Sequence, residues 1–399
     1  MLDSNDHRAI AQRLDLFHFQ EEAPGMVFWH PHGLTLHRLL EDAVRKHVAH
    51  EGYAEIRTPQ ILRRPVWEKS GHWQHFRDGM FTLSDEAEQA ALKPVSCPGH
   101  VCLFGRQTPS YRELPLRYAE FGLVHRDEPS GTLHGLLRLR QFTQDDGHIF
   151  CTKDQAVPEV VAFCRGVFPF YERFGFDRVE VVLATRPEDR AGDDASWDRA
   201  EGALREALAE VGKPYSEVPG GGAFYGPKLE FVLHDRLGRA FSCATIQFDL
   251  VMPRRFDVRY VDASGSREHP VMLHRALFGS LERFLGMLLE HHGARLPAWL
   301  CPVQVQLLPV AEAQEAFAGE VLSRLKRAGI RARLDARNET LSKRVAEAHA
   351  LSVPFIAVIG EREVLARSLA LRERDGVQSS VSLDSALDRL AAACASPFE

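Results

Sequence analysis

The sequence predicts an α+β protein in which an antiparallel sheet flanked by helices is followed by a smaller α/β domain. Two observations carry that expectation. Between about residues 30 and 290, strand-like runs at 118–125, 136–144, 178–184, 228–234, 239–247 and 256–260 follow one another closely, some joined only by turn-like sequence such as "DEPSGTLHG". Short connections of that kind favour antiparallel neighbours. After "HHGARLPAWLCP" the rhythm changes to a regular alternation of strand and helix, the pattern of an α/β unit.

Taken in order, "LTLHRLLEDAVRKHVAH" (34–50) reads as a long helix ahead of the strand runs. Beyond the change of rhythm come strand "VQVQLLPV", helix 312–328 with Gly329 as its C-cap, strand "IRARLDA", helix 340–350 and strand "PFIAVIG". The boundary falls near 300, giving domains 1–300 and 301–399, and 399 residues leave room for both.

Composition excludes several classes. The chain is 45% hydrophobic and 26% charged, ordinary for a globular protein, and no stretch reaches the ~18 apolar residues of a membrane span. "MLDSNDHRAIAQRLDLF" is charged from its third residue and lacks the apolar core of a signal peptide. Seven cysteines without regular spacing argue against a disulfide framework and for a reducing, cytoplasmic setting. A net charge of −6 argues against a uniformly basic nucleic-acid coat. A local basic face stays open: eight Lys/Arg (Arg324, Lys326, Arg327, Arg331, Arg333, Arg337, Lys343, Arg344) stand against only Asp335 and Glu339. A solvated helix face is the plainer explanation of the same run.

Residues 136–148, "LLRLRQFTQDDGH", read as an extended strand, put Arg138, Arg140, Phe142, Gln144, Asp146 and His148 on one face. That row could line a site meeting phosphate, a flat base and a metal, or be a solvated face with cross-strand ion pairs. Upstream, "FGLVHRDEPSG" offers Arg126 and Glu128 at a strand end, where an arginine can clamp a phosphate or simply pair with Asp127 or Glu128. "PVSCPGH" holds Cys97 in a tight Pro/Gly setting. Its thiol could be a buried core group, half of a Cys-x-x-His pair with His100, or a ligand whose partners lie elsewhere.

The blocks "EEAPGMVFWHPHG", "WEKSGHWQHFRDGMF", "FGLVHRDEPSG", "LRLRQFTQDDGHIF", "GAFYGPKLEF" and "PVMLHRALFGSLERF" resemble the motifs of class II aminoacyl-tRNA synthetases, specifically the threonyl-tRNA synthetase family. The similarity runs from about residue 6 to 300 and continues more weakly through "GIRARLDARNE", which resembles an anticodon-binding domain. The resemblance implies a zinc ion on Cys97, His148 and His274, the last at the start of a helix, with His100 outside the ligand set and His100→Ala retaining the metal. One thiolate and two imidazoles suit zinc, and three protein ligands leave a position for substrate. Threonine's amino and hydroxyl groups would bind there, with Asp146 accepting from the hydroxyl and Gln144 and Tyr225 holding the rest. For ATP with its magnesium, Arg126 would meet the α-phosphate, Glu128 the adenine edge, Phe142 and Arg283 the two faces of the ring, and Arg138 the phosphate tail. Gly279 and Arg283, four apart, would share a helix face. His72 would accept a proton in the transfer to tRNA, with Gln247 nearby and Lys228 facing the site.

By the same resemblance the partners are threonine, ATP and threonine tRNA, and "YAEIRTPQI" with Pro59 would lie at a homodimer interface. The sequence begins where the family's catalytic domain begins: either it is a trimmed piece of a longer protein, or the natural protein is short, does not edit serine in cis and leaves serine removal to a separate factor. Departures from the family are Ser242 where glutamine is usual, Ser96 where asparagine is usual, and a C-terminal stretch, "ETLSKRVAEAHALSVPFIAVIGEREV", poor in the expected basic and polar residues. Two other functions stay in view: a duplicated synthetase serving resistance or supplying activated threonine, and a non-catalytic tRNA-binding regulator.

Overall fold

The computed structural model describes residues 3–84 and 89–398. It forms two units, one of Phe19–Val27 with Leu40–Met287, the other of Met1–His18, Phe28–Leu39 and Leu288–Glu399. The boundary expected near 300 lies inside the second of these.

The larger unit is built on an eight-stranded sheet whose strands, in chain order, are β1 (Ala54–Glu55), β2 (Leu116–His125), β3 (Gln141–Cys151), β4 (Val179–Ala184), β5 (Tyr215–Val218), β6 (Lys228–His234), β7 (Ala240–Asp249) and β8 (Val271–Ala276). Their order across the sheet is β5-β4-β6-β7-β8-β3-β2-β1. The six central strands pair antiparallel, and only the short edges β5 and β1 run parallel to their neighbours. The helices of this unit are the part of α1 (Pro31–His50) from Leu40 on, α2 (Cys97–Phe104), α3 (Ala156–Glu172), α4 (Asp194–Val211) and the part of α5 (Leu281–His292) up to Met287. Leu229, Phe231 and Ile246 of the sheet are fully buried, and α3 closes over them with Phe163 edge-on to the Phe231 ring at 5.9 Å. Phe170, Phe174, Phe278 and Phe284 extend that core as stacked, tilted and edge-on rings with centroids 3.9–5.4 Å apart.

Three local expectations are corrected. The strand read at 136–148 begins at Gln141; Leu136 and Leu137 form a turn that brings Arg138 back to a bridge with His134, so Arg138 and Arg140 are not on the strand face. His134–Gly135 supplies the turn, with Gly135 at φ +50°. The run 256–260 is only marginally a strand: Met252–Arg255 is a helical turn and Tyr260–Val261 pairs with Arg267–Glu268. His274 stands in the middle of β8, and the helix begins seven residues later at Leu281.

The smaller unit carries β9 (Val305–Pro309), α6 (Glu315–Arg327), β10 (Ala332–Leu334), α7 (Leu341–Ala350), β11 (Phe355–Ile359), β12 (Ser368–Glu373), β13 (Gln378–Ser382) and α8 (Leu383–Cys394), in sheet order β10-β9-β11-β12-β13. The first three strands of that order are parallel, as the alternation predicts. The β12–β13 hairpin escapes a sequence reading because its strands are largely polar; it turns at Gly376, at φ +95°. Val305, Leu307, Phe317, Val321, Leu325, Leu369 and Leu390 form the core.

The basic run does not make one face. Arg344 is buried and donates to the carbonyls of Asp335 and Pro309, both at 2.8 Å, and Arg331 donates to those of Cys301 and Trp299. Arg324, Arg337 and Lys343 are paired with Asp384, Asp335 and Glu339. Closeness in sequence across a helix, a strand and a second helix does not put side chains on a common surface.

Candidate active site

Cys97 is the first residue of α2, followed by Pro98, whose fixed φ suits the first helical turn. Gly99 comes next because α2 starts hard against Thr58: a Cβ there would lie 2.8 Å from the threonine Cβ. This packing fixes the thiol where the sheet can reach it. His148 and His274 face each other directly across β3 and β8. Antiparallel pairing continues the same rung to Tyr118 on β2, Gln247 on β7 and Lys228 on β6, so one line of cross-strand neighbours carries four of the expected site residues.

The Cys97 Sγ and one nitrogen of each histidine lie within 4.8 Å of one another, and His148 Nε2 is 3.0 Å from His274 Nδ1. His274 turns its other nitrogen to Asp249 Oδ2 at 2.9 Å, which directs Nδ1 toward His148. The donor set of one sulfur and two imidazoles, converging on one point with a carboxylate behind a ligand, fits zinc. Burial, with Asp146 and Asp249 close by, pushes the Cys97 thiol well up, and burial pulls His148 well below the usual histidine range. Burial also raises Asp146, whose Oδ1 sits 3.8 Å from His148 Nε2.

Around this cluster the structure gathers most of the expected substrate residues. Tyr225 lies with its ring 5.5 Å from that of His274 and its hydroxyl 3.3 Å from Gln247 Oε1. The Gln144 side-chain oxygen is buried with no hydrogen-bond partner among the described residues, which leaves an acceptor to be filled. Arg126 holds its guanidinium 5.1 Å over the Phe142 ring and donates to the Pro94 carbonyl. His72 is braced by Ser70 Oγ at 2.8 Å; burial, reinforced by the nearby His274 and Arg126 and opposed by Asp249, takes it down to about 4.

Other expected residues are placed more loosely. Glu128 and Arg138 bond each other at 2.8 Å, with Arg138 half exposed. Lys228 pairs with Glu230 at 2.6 Å. Arg283 is exposed on the first turn of α5, while Gly279 lies before the helix in a left-handed turn, so the two do not share a helix face. That turn is shaped by Asp145, which sequence reasoning passed over: its carboxylate accepts the backbone N–H groups of Leu277, Phe278 and Gly279 at 2.6–3.2 Å. Asp249, Glu120 and Lys93 were also missed. Glu120 carries a signal, being the lone acid inside the apolar run 116–125.

A mostly antiparallel sheet of this order, followed by a separate α/β unit, is the architecture of class II aminoacyl-tRNA synthetases. The family model "tRNA synthetase class II core domain (G, H, P, S and T)" matches residues 81–292, and that of the "Anticodon binding domain" matches 304–393. Threonine–tRNA ligase of Paraburkholderia xenovorans is 50% identical over 389 residues, covering 97% of this chain and 61% of that protein. Its counterpart in Stenotrophomonas maltophilia is 49% identical over 98% of this chain and 62% of its own length. Among solved structures, the RNA binding domain of threonyl-tRNA synthetase from Cryptosporidium parvum superposes with a TM-score of 0.92 at 38% identity, covering 98% of each chain. A putative threonyl-tRNA synthetase from Aeropyrum pernix gives 0.84 at 29%, again over 98% of each. The chain therefore belongs to the threonyl-tRNA synthetase family of that class, and it spans about three fifths of the length of the curated relatives it matches.

Proposed function

We propose that the chain acts as a threonine–tRNA ligase, activating threonine with ATP to threonyl-adenylate and pyrophosphate and transferring it to the terminal adenosine of threonine tRNA. The observation that carries this reading is the Cys97–His148–His274 cluster, its two histidines on the sheet that also carries Phe142, with Arg126 close to Cys97 and over the Phe142 ring. A zinc ion held by those three residues would supply an open coordination position for the amino and hydroxyl groups of threonine. Asp146 accepts from the substrate hydroxyl, and Gln144 and Tyr225 orient the remainder. Arg126, partly buried and always charged, offsets the carboxylate and α-phosphate that must approach one another. Phe142 stacks on the adenine, Glu128 reads its edge, and Arg138 and Arg283 meet the phosphate tail and the second ring face, with magnesium carried by the ATP. His72, neutral at physiological pH, takes the proton of the attacking ribose hydroxyl, with Gln247 and Lys228 lining the approach.

The functional division proposed is a catalytic domain over 1–300 and an anticodon-binding domain over 301–399, in a cytoplasmic homodimer. No helix among the described residues is long and apolar enough to cross a membrane. A site that holds a hydroxyl rejects an analogue lacking it by roughly 10⁴–10⁵-fold, but loss of one methyl is worth only about 10–200-fold. Valine is thus excluded while serine is not, which makes a separate factor that removes serine from tRNA the expected partner.

The test is ATP–pyrophosphate exchange with zinc-loaded protein. Threonine should support it, serine more weakly, and valine hardly at all. Absence of threonine-dependent exchange would overturn the reading.

A further inference from the structure

Behind the metal cluster runs a second, fully buried set of polar groups that no step above uses. His148 turns its Nδ1 to His100 Nδ1 at 2.9 Å, and His100 Nε2 meets Glu120 Oε2 at 3.0 Å. Glu120 also accepts from Lys93 Nζ at 2.9 Å, from the Thr58 backbone N–H at 2.8 Å and from its hydroxyl at 2.9 Å. His100, His148 and Lys93 are 0% exposed and Glu120 is 2% exposed. An ion pair this deep is costly to desolvate and is weak evidence for stability alone, so its retention calls for another role.

The hydrogen-bond pattern assigns protons along the chain. Glu120 has all its acceptor sites filled by donors; burial alone would raise its carboxyl, but the bonds from His100, Lys93 and Thr58 outweigh that and hold it to about 2. An ionised carboxylate only accepts, so His100 must carry its proton on Nε2. The 2.9 Å contact between His148 Nδ1 and His100 Nδ1 holds one proton. An imidazole that offers its Nε2 lone pair to a metal carries its proton on Nδ1, so His148 is the donor, His100 Nδ1 the acceptor, and His148 Nε2 faces Cys97 and His274.

We propose that His100, anchored by Glu120 and Lys93, is a positioning residue that fixes the tautomer and ring plane of His148 so that Nε2 is presented to the metal. With Asp249 doing the same for His274 from the opposite side, both imidazoles are set from behind by carboxylates, one directly and one through a second imidazole. His100 is thus no ligand, yet it controls one. This rests on the zinc reading of the Cys97 cluster and adds to it the device that makes the site ready before metal arrives.

The experiment measures zinc affinity by chelator competition, and the visible spectrum after cobalt substitution, on the full chain and two variants. His100→Gln places its amide near the former Nε2, keeping a donor for Glu120 while removing the acceptor for His148. His100→Asn places its amide oxygen near the former Nδ1 and keeps that acceptor. The Gln variant should bind zinc about 10–100-fold more weakly, with an altered cobalt spectrum, because outer-shell losses are of that size. The Asn variant should recover most of the affinity and the parental spectrum. Equal zinc affinity and unchanged cobalt bands in His100→Gln would overturn the proposal, as would weakening in both variants in proportion to lost thermal stability. If the parental chain itself binds neither ion, the zinc reading fails instead.

Discussion

The proton balance of single side chains gives the site its pH behaviour. Cys97 is held as a thiol by burial and by the neighbouring carboxylates Asp146 and Asp249, so a metal must displace its proton. With one proton released, zinc affinity should rise about tenfold per pH unit between pH 7 and 8.5, a slope readable by chelator competition. Cys97→Ala should abolish both that binding and threonine-dependent exchange. His72 behaves in the opposite sense. Its folded value of about 4, set chiefly by burial, lies below the 6.5 of an unfolded histidine. Between those values the unfolded chain takes up a proton that the fold refuses, so stability falls as pH drops from 6.5 toward 4 and is unaffected by this group above 6.5. Denaturant midpoints at pH 7 and pH 5 should converge in His72→Gln relative to the parent. The same substitution should slow charging of tRNA while leaving pyrophosphate exchange nearly intact, since only transfer needs the proton acceptor. An equal loss in both assays would remove His72 from the transfer step.

Strand pairing sets the two histidines of the proposed metal cluster face to face, and the start of α2 brings Cys97 to them. Gly147 sits between Asp146 and His148 and opposite Arg275, whose side chain lies across it: a Cβ at 147 would come within 2.4 Å of Arg275 Nε. Arg275 cannot retreat easily, being buried, stacked 4.3 Å over the Tyr53 ring and bonded to the Asp145 carbonyl. Gly147→Ala should therefore cost about 1–3 kcal/mol by overpacking, measured by urea unfolding, and should weaken zinc binding through the displaced β3 backbone. These elements also show where sequence reading succeeds. The period-two pattern of 141–148 put Phe142, Gln144, Asp146 and His148 on one face because alternation is a local property of the chain. The pairing of His148 with His274, 126 residues apart, is not local, and neither is the contact of His100 with Glu120. For those, only the family resemblance pointed to the ligand set, and nothing pointed to the residues behind it. His274 was expected at a helix start; the left-handed turn at Gly279, tied by Asp145, separates its strand from α5.

For the molecule as a whole, the question is whether a chain of net charge −6 can hold an anionic tRNA through its smaller unit. Of the eight basic residues between 324 and 344, Arg331 and Arg344 serve the fold and three others are paired with carboxylates. Arg327 donates to the Ser323 carbonyl of its own helix, which leaves Lys326 on α6 and Arg333 on β10 exposed with neither an ion-pair nor a hydrogen-bond partner for their side chains among the described residues. These two are the candidates for phosphate contact, and the distinction can be measured. Lys326→Ala with Arg333→Ala should raise the KM for tRNA in charging. It should also reduce the dependence of tRNA affinity on salt by about one logarithmic unit per lost phosphate contact, with pyrophosphate exchange unchanged. Arg344→Met should do the reverse. It strips the donors from two buried carbonyls, costing about 1–3 kcal/mol of stability, and any effect on charging should follow unfolding rather than salt. If the double variant charges tRNA with parental KM and parental salt dependence, the basic run is a solvated surface, and recognition of the tRNA by this unit must rest on its uncharged groups.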